Sequence, residues 1–326
     1  MTYSYSQLDF IWHEKCNVLK RNKEHFRQIS KTGIWRRDSV VNNSGISTAI
    51  WNPGIGSRFI CLNKSRSVKK GSVSSYAELS HLSLIVYEVA SEKVRGLIPA
   101  NFELEEKKID GKPHTWISVV SYLDFGNVND GNGCFERTDY NLHIIHEGKP
   151  ALYLLRSSLG SLSAVATRNL WPMPWNLGAM EFQISYDKSV GRYKTWRLQT
   201  QSEYATASWE IEDSGSRLDM RDLRSSLPAS LLTASSESVF IRKDGNVGSY
   251  STKYSGVSFT GGTIRTAQSD VLVSSGLLSK EELQRPAFVG LQNKVRCQIY
   301  TPVMLGSEGS KGNQPEPVWS GLAYAS

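Results

Sequence analysis

Asn141-Leu142-His143-Ile144-Ile145-His146-Glu147-Gly148-Lys149-Pro150 leads through Ala151 to Ser158. Ala166-Thr167-Arg168-Asn169-Leu170-Trp171-Pro172-Met173-Pro174-Trp175-Asn176-Leu177-Gly178-Ala179-Met180 then follows, and these two blocks decide the fold. The first block reads as a strand over 141–146, a glycine-containing hairpin at Gly148, and a second strand over 151–157. A short helix over 159–167 comes next, then a turn locked by Pro172 and Pro174, and another strand over 179–186.

Working outward, the same rhythm of short β-branched and aromatic runs predicts strands at 82–89, 115–123, 194–201, 204–211, 238–242, 248–254 and 294–300. Ser91 is expected to cap a short helix, Glu92–Leu97, that stops at Pro99. Ser279 and Glu282 have the spacing of a capping box, opening a helix that Pro286 closes. Residues 6–30 carry Leu8, Ile11, Val18, Leu19, Phe26 and Ile29 on one side of a helical repeat, with Lys20, Arg21, Lys23 and Glu24 opposite. Residues 39–58 and 65–75 read as loop and linker. The division expected is a basic N-terminal extension over 1–75, a β-domain over 76–306 and a tail over 307–326.

The order of these elements resembles the acetoacetate decarboxylase-like superfamily, and is nearest to its YqjF-like branch of unknown function. There, a small-residue–arginine stretch ending in Pro-aromatic follows a Gly-Lys-Pro hairpin. Leu97-Ile98-Pro99, Asp110-Gly111 and Trp116 match the way the superfamily opens, and Val295–Pro302 matches its last strand. The resemblance spans roughly 225 residues. It implies a mainly β (α+β) fold, an antiparallel cone-shaped barrel with an internal cavity and a few short helices, preceded by the helical extension. In the decarboxylases the turn after the short helix supplies an imine-forming lysine. Here Trp175 and Asn176 occupy those places, so the resemblance implies the fold without the lysine chemistry.

Composition bounds the rest. Residues 1–74 carry 13 Lys/Arg against 4 Asp/Glu, whereas 75–326 carry 25 against 27, so the net charge of +7 resides in the extension. Arg36-Arg37 and Lys64–Lys70 form basic clusters without any nucleic-acid reader motif. They suit a solvated arm or docking on a membrane surface or partner enzyme, and no specific nucleic acid is expected. No apolar run approaches the roughly 18 residues of a membrane span, and the first residues lack a signal-peptide pattern. A cytoplasmic location is the expectation. Cys16, Cys61, Cys134 and Cys297 form no Cys-x-x-Cys pair. His143 and His146 fall on opposite faces of a strand, so no metal is expected, and no cofactor. Phosphate-cradling, dinucleotide and Gly-x-Ser-x-Gly signatures are missing too.

Candidate site residues follow from alternation and from the resemblance. Leu142, Ile144 and His146 share one strand face, and Asn141, His143 and Ile145 the other. The resembling branch has an arginine where His143 stands, and a histidine there suits acid–base work, although a half-exposed strand histidine reads equally well. Arg168 matches the arginine of the decarboxylases' turn and suits a substrate carboxylate; holding turn carbonyls is its other reading. Glu181, after the turn, is the third catalytic candidate. Trp175, Asn176, Tyr140, Trp116 and Arg156 are assigned to substrate binding. Arg137, Asp139 and Tyr140 lie just before the strand that the resemblance matches to the region of the decarboxylases' active-site glutamate, and Arg137 and Asp139 read there as loop charge.

The function that the resemblance implies is a lysine-independent acid–base enzyme acting on a β-keto acid or related carbonyl compound. Decarboxylation, dehydration and cyclisation all pass through an enol or enolate. Relatives serve secondary metabolism, and 33 aromatic residues suit an aromatic substrate, as in a cyclase of scytonemin type. The competing reading is a non-catalytic small-molecule carrier using the same cavity. A small-molecule substrate and a homo-oligomer are the partners expected.

Overall fold

The computed structural model describes residues 46–49, 73–125, 134–161, 173–202, 206–219, 222–223, 226–233, 235–241, 246–300 and 302–305. All belong to one compact unit. The 6–30 helix, the basic clusters, the tail over 307–326, most of the 159–167 helix, Arg168 and Trp171 lie outside the described residues.

Fifteen strands join one sheet: β1 (Ile46–Ala49), β2 (Val73–Ala90), β3 (Glu103–Leu104), β4 (Lys107–Ile109), β5 (Lys112–Phe125), β6 (Cys134–His146), β7 (Lys149–Leu159) and β8 (Trp175–Asp187) come first. After them come β9 (Arg192–Ser202), β10 (Thr206–Arg217), β11 (Ser235–Ile241), β12 (Val247–Ser255), β13 (Thr260–Ser269), β14 (Phe288–Tyr300) and β15 (Val303–Met304). Among the described residues, three short α-helices, α1 (Ser91–Val94), α2 (Asp270–Ser274) and α3 (Lys280–Leu283), and two 3-10 turns, η1 (Arg95–Leu97) and η2 (Ala229–Leu231), accompany them.

Hairpin chemistry sets the register. Asp110-Gly111 and Glu147-Gly148 are two-residue loops in which every residue has positive φ (50° and 79°, 50° and 72°). That conformation matches the twist of the flanking strands and favours glycine. It pins Ile109 opposite Lys112 and His146 opposite Lys149.

The sheet closes twice. Strands β14, β2, β5, β6 and β7 form a common wall. At one edge of that wall β7 gives Leu152–Tyr153 to β11 and Ser157–Leu159 to β8. At the other, β14 gives Gly290–Leu291 to β13 and Arg296–Ile299 to β12. The results are a seven-strand ring through β11 and β12 and a nine-strand ring through β8, β9, β10 and β13. Pairing is antiparallel except for β7–β8 and β7–β11, two parallel exceptions to the expected antiparallel barrel.

Side-chain alternation sends the two faces of the wall to different interiors. Tyr140 on β6 meets Trp209 on β10, with ring centroids 6.3 Å apart, and Tyr87, Phe182 and Trp196 join the same apolar cluster. The strands involved are not neighbours, so this is the inside of the nine-strand ring. Val271, Leu272 and Leu283 of α2 and α3 close one end of it, and Tyr87 donates a hydrogen bond to the Leu283 carbonyl. The opposite face carries Leu79, Leu84, Trp116 and Tyr122, which pack with Leu227, Phe259 and Cys297. β6 is buried on both faces, as a strand between two interiors must be.

Several sequence expectations change. The strand placed at 141–146 begins at Cys134, and the strand at 82–89 begins at Val73. Leu159 ends β7 and does not start a helix. Ser91 is the first helical residue behind an Ala90 N-cap, and its buried hydroxyl has no partner among the described residues. The Ser279–Glu282 capping box is present in full. β13 was not anticipated: its two glycines and exposed polar residues give little strand signal. Gly262 is required there: a Cβ would come within 2.8 Å of Ile211 and Val289. Among the described residues no helix is long and apolar enough to cross a membrane.

Candidate functional site

Inside the seven-strand ring lies a buried polar cluster built on β5, β6, β7 and β12. Residues two apart on a strand share a face, so Arg137, Asp139, Asn141 and His143 of β6 all look inward. Tyr122 and Asp124 of β5 do the same from the register opposite Arg137 and Phe135. Asp139 is the hub. Its carboxylate accepts from Arg137 Nε at 2.8 Å, from the Tyr122 hydroxyl at 3.0 Å and from the Ser157 hydroxyl. Three donors on one buried carboxylate offset much of its desolvation.

Arg137 is held from several sides. Its guanidinium carbon stands 5.1 Å from the Trp175 ring centroid and 5.8 Å from that of Tyr122. Tyr250 of β12 reaches it across the ring, and Tyr254 lies beside Tyr250. Burial works against the guanidinium charge, but Asp139 and the tyrosines more than offset it, so its pKa lies well above the ordinary arginine value. Burial likewise keeps Tyr122, Tyr250 and Tyr254 protonated. Asp124 lies on the same inner face of β5 as Tyr122. Burial pushes its pKa up to about 6, against the pull of Arg137 and with a further push from Asp139. No hydrogen bond or ion pair to the Asp124 carboxyl is present among the described residues.

The other end of this ring is plugged by residues 226–233. Ser230 of η2 contacts His143 Nδ1 at 2.6 Å, while His143 Nε2 contacts the Ser118 hydroxyl at 3.1 Å. Glu105 anchors the plug by accepting from the Ala229 amide at 2.5 Å and the Ser230 hydroxyl at 3.2 Å. Burial drops the His143 pKa to about 3, so the imidazole is neutral at physiological pH.

The residues singled out from sequence are therefore dispersed. Trp175 reaches the Arg137 cluster. His143 shares the inner face of β6 but sits at the plug, four positions beyond Asp139. Asn176 alternates away from Trp175 and pairs with Ser158. Tyr140 and Arg156 pair across β6 and β7 on the nine-strand side. Trp116 is buried in the apolar part of the seven-strand ring, with Lys107 Nζ 5.4 Å from its centroid. Glu181 lies between Met180 and Phe182, which point into the nine-strand core, and its carboxylate accepts from Gln183 at 2.8 Å on the exposed side. Arg168 falls outside the described residues. Sequence reading missed Tyr122, Asp124, Ser157 and Tyr250, and placed Arg137 and Asp139 in a loop. The i, i+2 spacing of two opposite charges was the available signal, since it puts both on one face of a strand.

A family model described as DUF2071, uncharacterized conserved protein, matches residues 76–254. The chain belongs to this family. Tyr122, Asp124, Arg137, Asp139, Ser157, Trp175 and Tyr250 all lie inside the DUF2071 span, which ends at Tyr254. No curated protein matches the chain. Among solved structures, acetoacetate decarboxylase from Legionella pneumophila subsp. pneumophila str. Philadelphia 1 is similar at 12% identity and TM-score 0.48, covering 78% of this chain and 98% of that one. An acetoacetate decarboxylase-like enzyme from Sphingomonas wittichii RW1 is similar at 10% identity and TM-score 0.48, covering 75% and 96%. The enduracididine biosynthesis enzyme MppR, complexed with pyruvate, is similar at 12% identity and TM-score 0.45, covering 74% and 93%. Among the described residues no group of three or more His, Cys, Asp or Glu side chains is placed to hold a metal ion.

Proposed function

We propose that this DUF2071 protein is a lysine-independent acid–base enzyme acting on a β-keto acid or a related carbonyl compound inside the seven-strand ring. The observation that carries the reading is Arg137, a buried guanidinium fixed by Asp139 and stacked beside Trp175. By the resemblance, Arg137 and Asp139 lie just before the strand matched to the region of the decarboxylases' glutamate, and Trp175 and Asn176 hold the places of their lysine turn. A guanidinium in low dielectric binds a carboxylate through paired N–H donors. Holding the carboxylate out of the plane of the keto group aligns the breaking C–C bond with the carbonyl π system. The electron pair then flows to oxygen as carbon dioxide leaves, and a proton donor near that oxygen stabilises the enolate.

Tryptophan has no amine to form an imine, and no lysine is buried among the described residues, which supports a route without covalent capture. Phe240, Tyr250 and Trp175 pack near one another, which favours a substrate with an aromatic group. In this reading the carboxylate handle is shared by decarboxylation and by cyclisation through the same enolate.

The test is turnover of a small panel of β-keto acids, acetoacetate, benzoylacetate and 3-(indol-3-yl)-3-oxopropanoate, followed by carbon dioxide release and by mass spectrometry. Turnover above the spontaneous rate, lost in Arg137→Met and insensitive to borohydride, is the expected result. Substrate reduced onto a lysine by borohydride would sink the lysine-independent reading. Saturable binding without any turnover would instead establish a carrier.

A further inference from the structure

We propose that Asp124 is the catalytic residue that delivers the proton to the developing enolate, with Asp139 as the fixed counter-ion of Arg137. This assignment rests on the acid–base reading of the ring. Two carboxylates face one guanidinium, and their surroundings divide the labour. Asp139 already accepts from Arg137, Tyr122 and Ser157, so both of its oxygens are engaged within the cluster. Asp124, two positions from Tyr122 on the same inner face, is just as buried and has no hydrogen-bond partner among the described residues. A carboxyl group with nothing donating to it is free to meet a ligand and cheap to protonate.

The other groups around Asp124 point the same way. Arg137 and Asp139 on β6, Tyr122 on β5, Cys134 on β6 and Cys297 on β14 all interact with it electrostatically. Both thiols are pushed up to about 12 by burial, so neither competes for the proton near neutrality. The tyrosine is likewise locked in its protonated form. The Arg137–Asp139 pair is neutral as a unit. A substrate carboxylate beside Arg137 therefore adds one uncompensated negative charge, which raises the affinity of Asp124 for its proton further. Binding itself loads the acid.

The step balances without a co-reactant. In a β-keto acid the bond between the α-carbon and the carboxylate breaks, carbon dioxide leaves, and the electron pair enters the enolate. The Asp124 proton moves to the enolate oxygen, giving a neutral enol and an Asp124 carboxylate. Ketonisation returns the enol proton to Asp124, while the α-carbon takes one from water. Overall one proton is consumed for each carboxylate lost.

The experiment is a pH–rate profile of benzoylacetate decarboxylation from pH 5 to 9 for wild type, Asp124→Asn and Asp124→Glu, corrected for the spontaneous reaction. Wild-type kcat/KM should fall about tenfold per pH unit once Asp124 loses its proton. Asp124→Asn should lose about 10²–10⁴-fold with a flattened profile, whereas Asp124→Glu should recover part of the rate with a displaced limb. Asp124→Asn within about threefold of wild type, its limb intact, would overturn the assignment and leave the wider reading standing. An unmoved limb in Asp124→Glu overturns it equally, and covers the case in which the asparagine variant misfolds. Failure of wild type to turn over any β-keto acid removes the wider reading and this assignment with it.

Discussion

Arg137 and Asp139 sit two positions apart on one strand and close an ion pair of 2.8 Å through Nε, both side chains aimed into the seven-strand ring. The pair is intrastrand, so it does not clamp two elements together. Its effect is to preset the angle of the guanidinium between Trp175 and Tyr122.

Removing one half of this pair leaves a buried charge unmatched. Arg137→Met should destabilise the protein by about 3–5 kcal/mol, and Asp139→Asn by less because Tyr122 and Ser157 still have an acceptor. Arg137→Met combined with Asp139→Leu should recover much of the loss while remaining inactive. Urea unfolding of wild type, Arg137→Met, Asp139→Leu and the double variant closes a double-mutant cycle and measures the coupling.

Glu136 is buried on the nine-strand side of β6, and burial pushes its pKa up to about 7. The folded state holds this proton more tightly than the unfolded chain, so stability falls as pH rises from the ordinary glutamate range to about 7. Glu136→Gln should remove that slope. It should also stabilise the protein at pH 8 by on the order of 1–3 kcal/mol, read from denaturation midpoints across pH.

His143 has the opposite sign. Its folded pKa, lowered by burial to about 3, lies below the unfolded value. The unfolded chain therefore takes up the proton first, and this group's contribution is lost as pH falls from about 6.5 toward 3. The imidazole carbon and nitrogen NMR shifts should stay flat from pH 5 to 8, and His143→Gln should weaken the acid sensitivity of folding. An NMR titration midpoint near 6.5 would show that the Ser230–His143–Ser118 contacts do not persist in solution.

The capping box of α3 offers a control far from the ring's polar cluster. Ser279 Oγ accepts from the Glu282 amide at 3.1 Å, and the Glu282 carboxylate accepts from the Ser279 amide at 2.6 Å. Ser279→Ala should cost about 1 kcal/mol in thermal unfolding and leave any turnover unchanged.

Local chemistry made much of the fold legible. Asp110-Gly111 and Glu147-Gly148 announced their hairpins, and Ser279-x-x-Glu282 its helix. The polar start of β6 was harder, because Glu136-Arg137-Thr138-Asp139 looks like solvated loop unless a second interior is there to receive it. Alternation correctly separated Glu181 from Met180 and Phe182. It could not say which side was inside, since that depends on ring closure by strands far away in sequence. Tyr250 and Trp175 meet Arg137 only because β12 and β8 return to the wall, a non-local fact that no window of residues contains.

Because β6 serves two chambers at once, neighbouring residues on it belong to different environments: Tyr140 to an aromatic interior, Asp139 and Asn141 to a polar one. Inserting or deleting a single residue here would transpose the two sets, driving charges into hydrocarbon and tryptophan-packing rings among carboxylates. The partition thus acts as a ratchet against slippage, and the chemistry of one compartment is kept in place by the oiliness of the other.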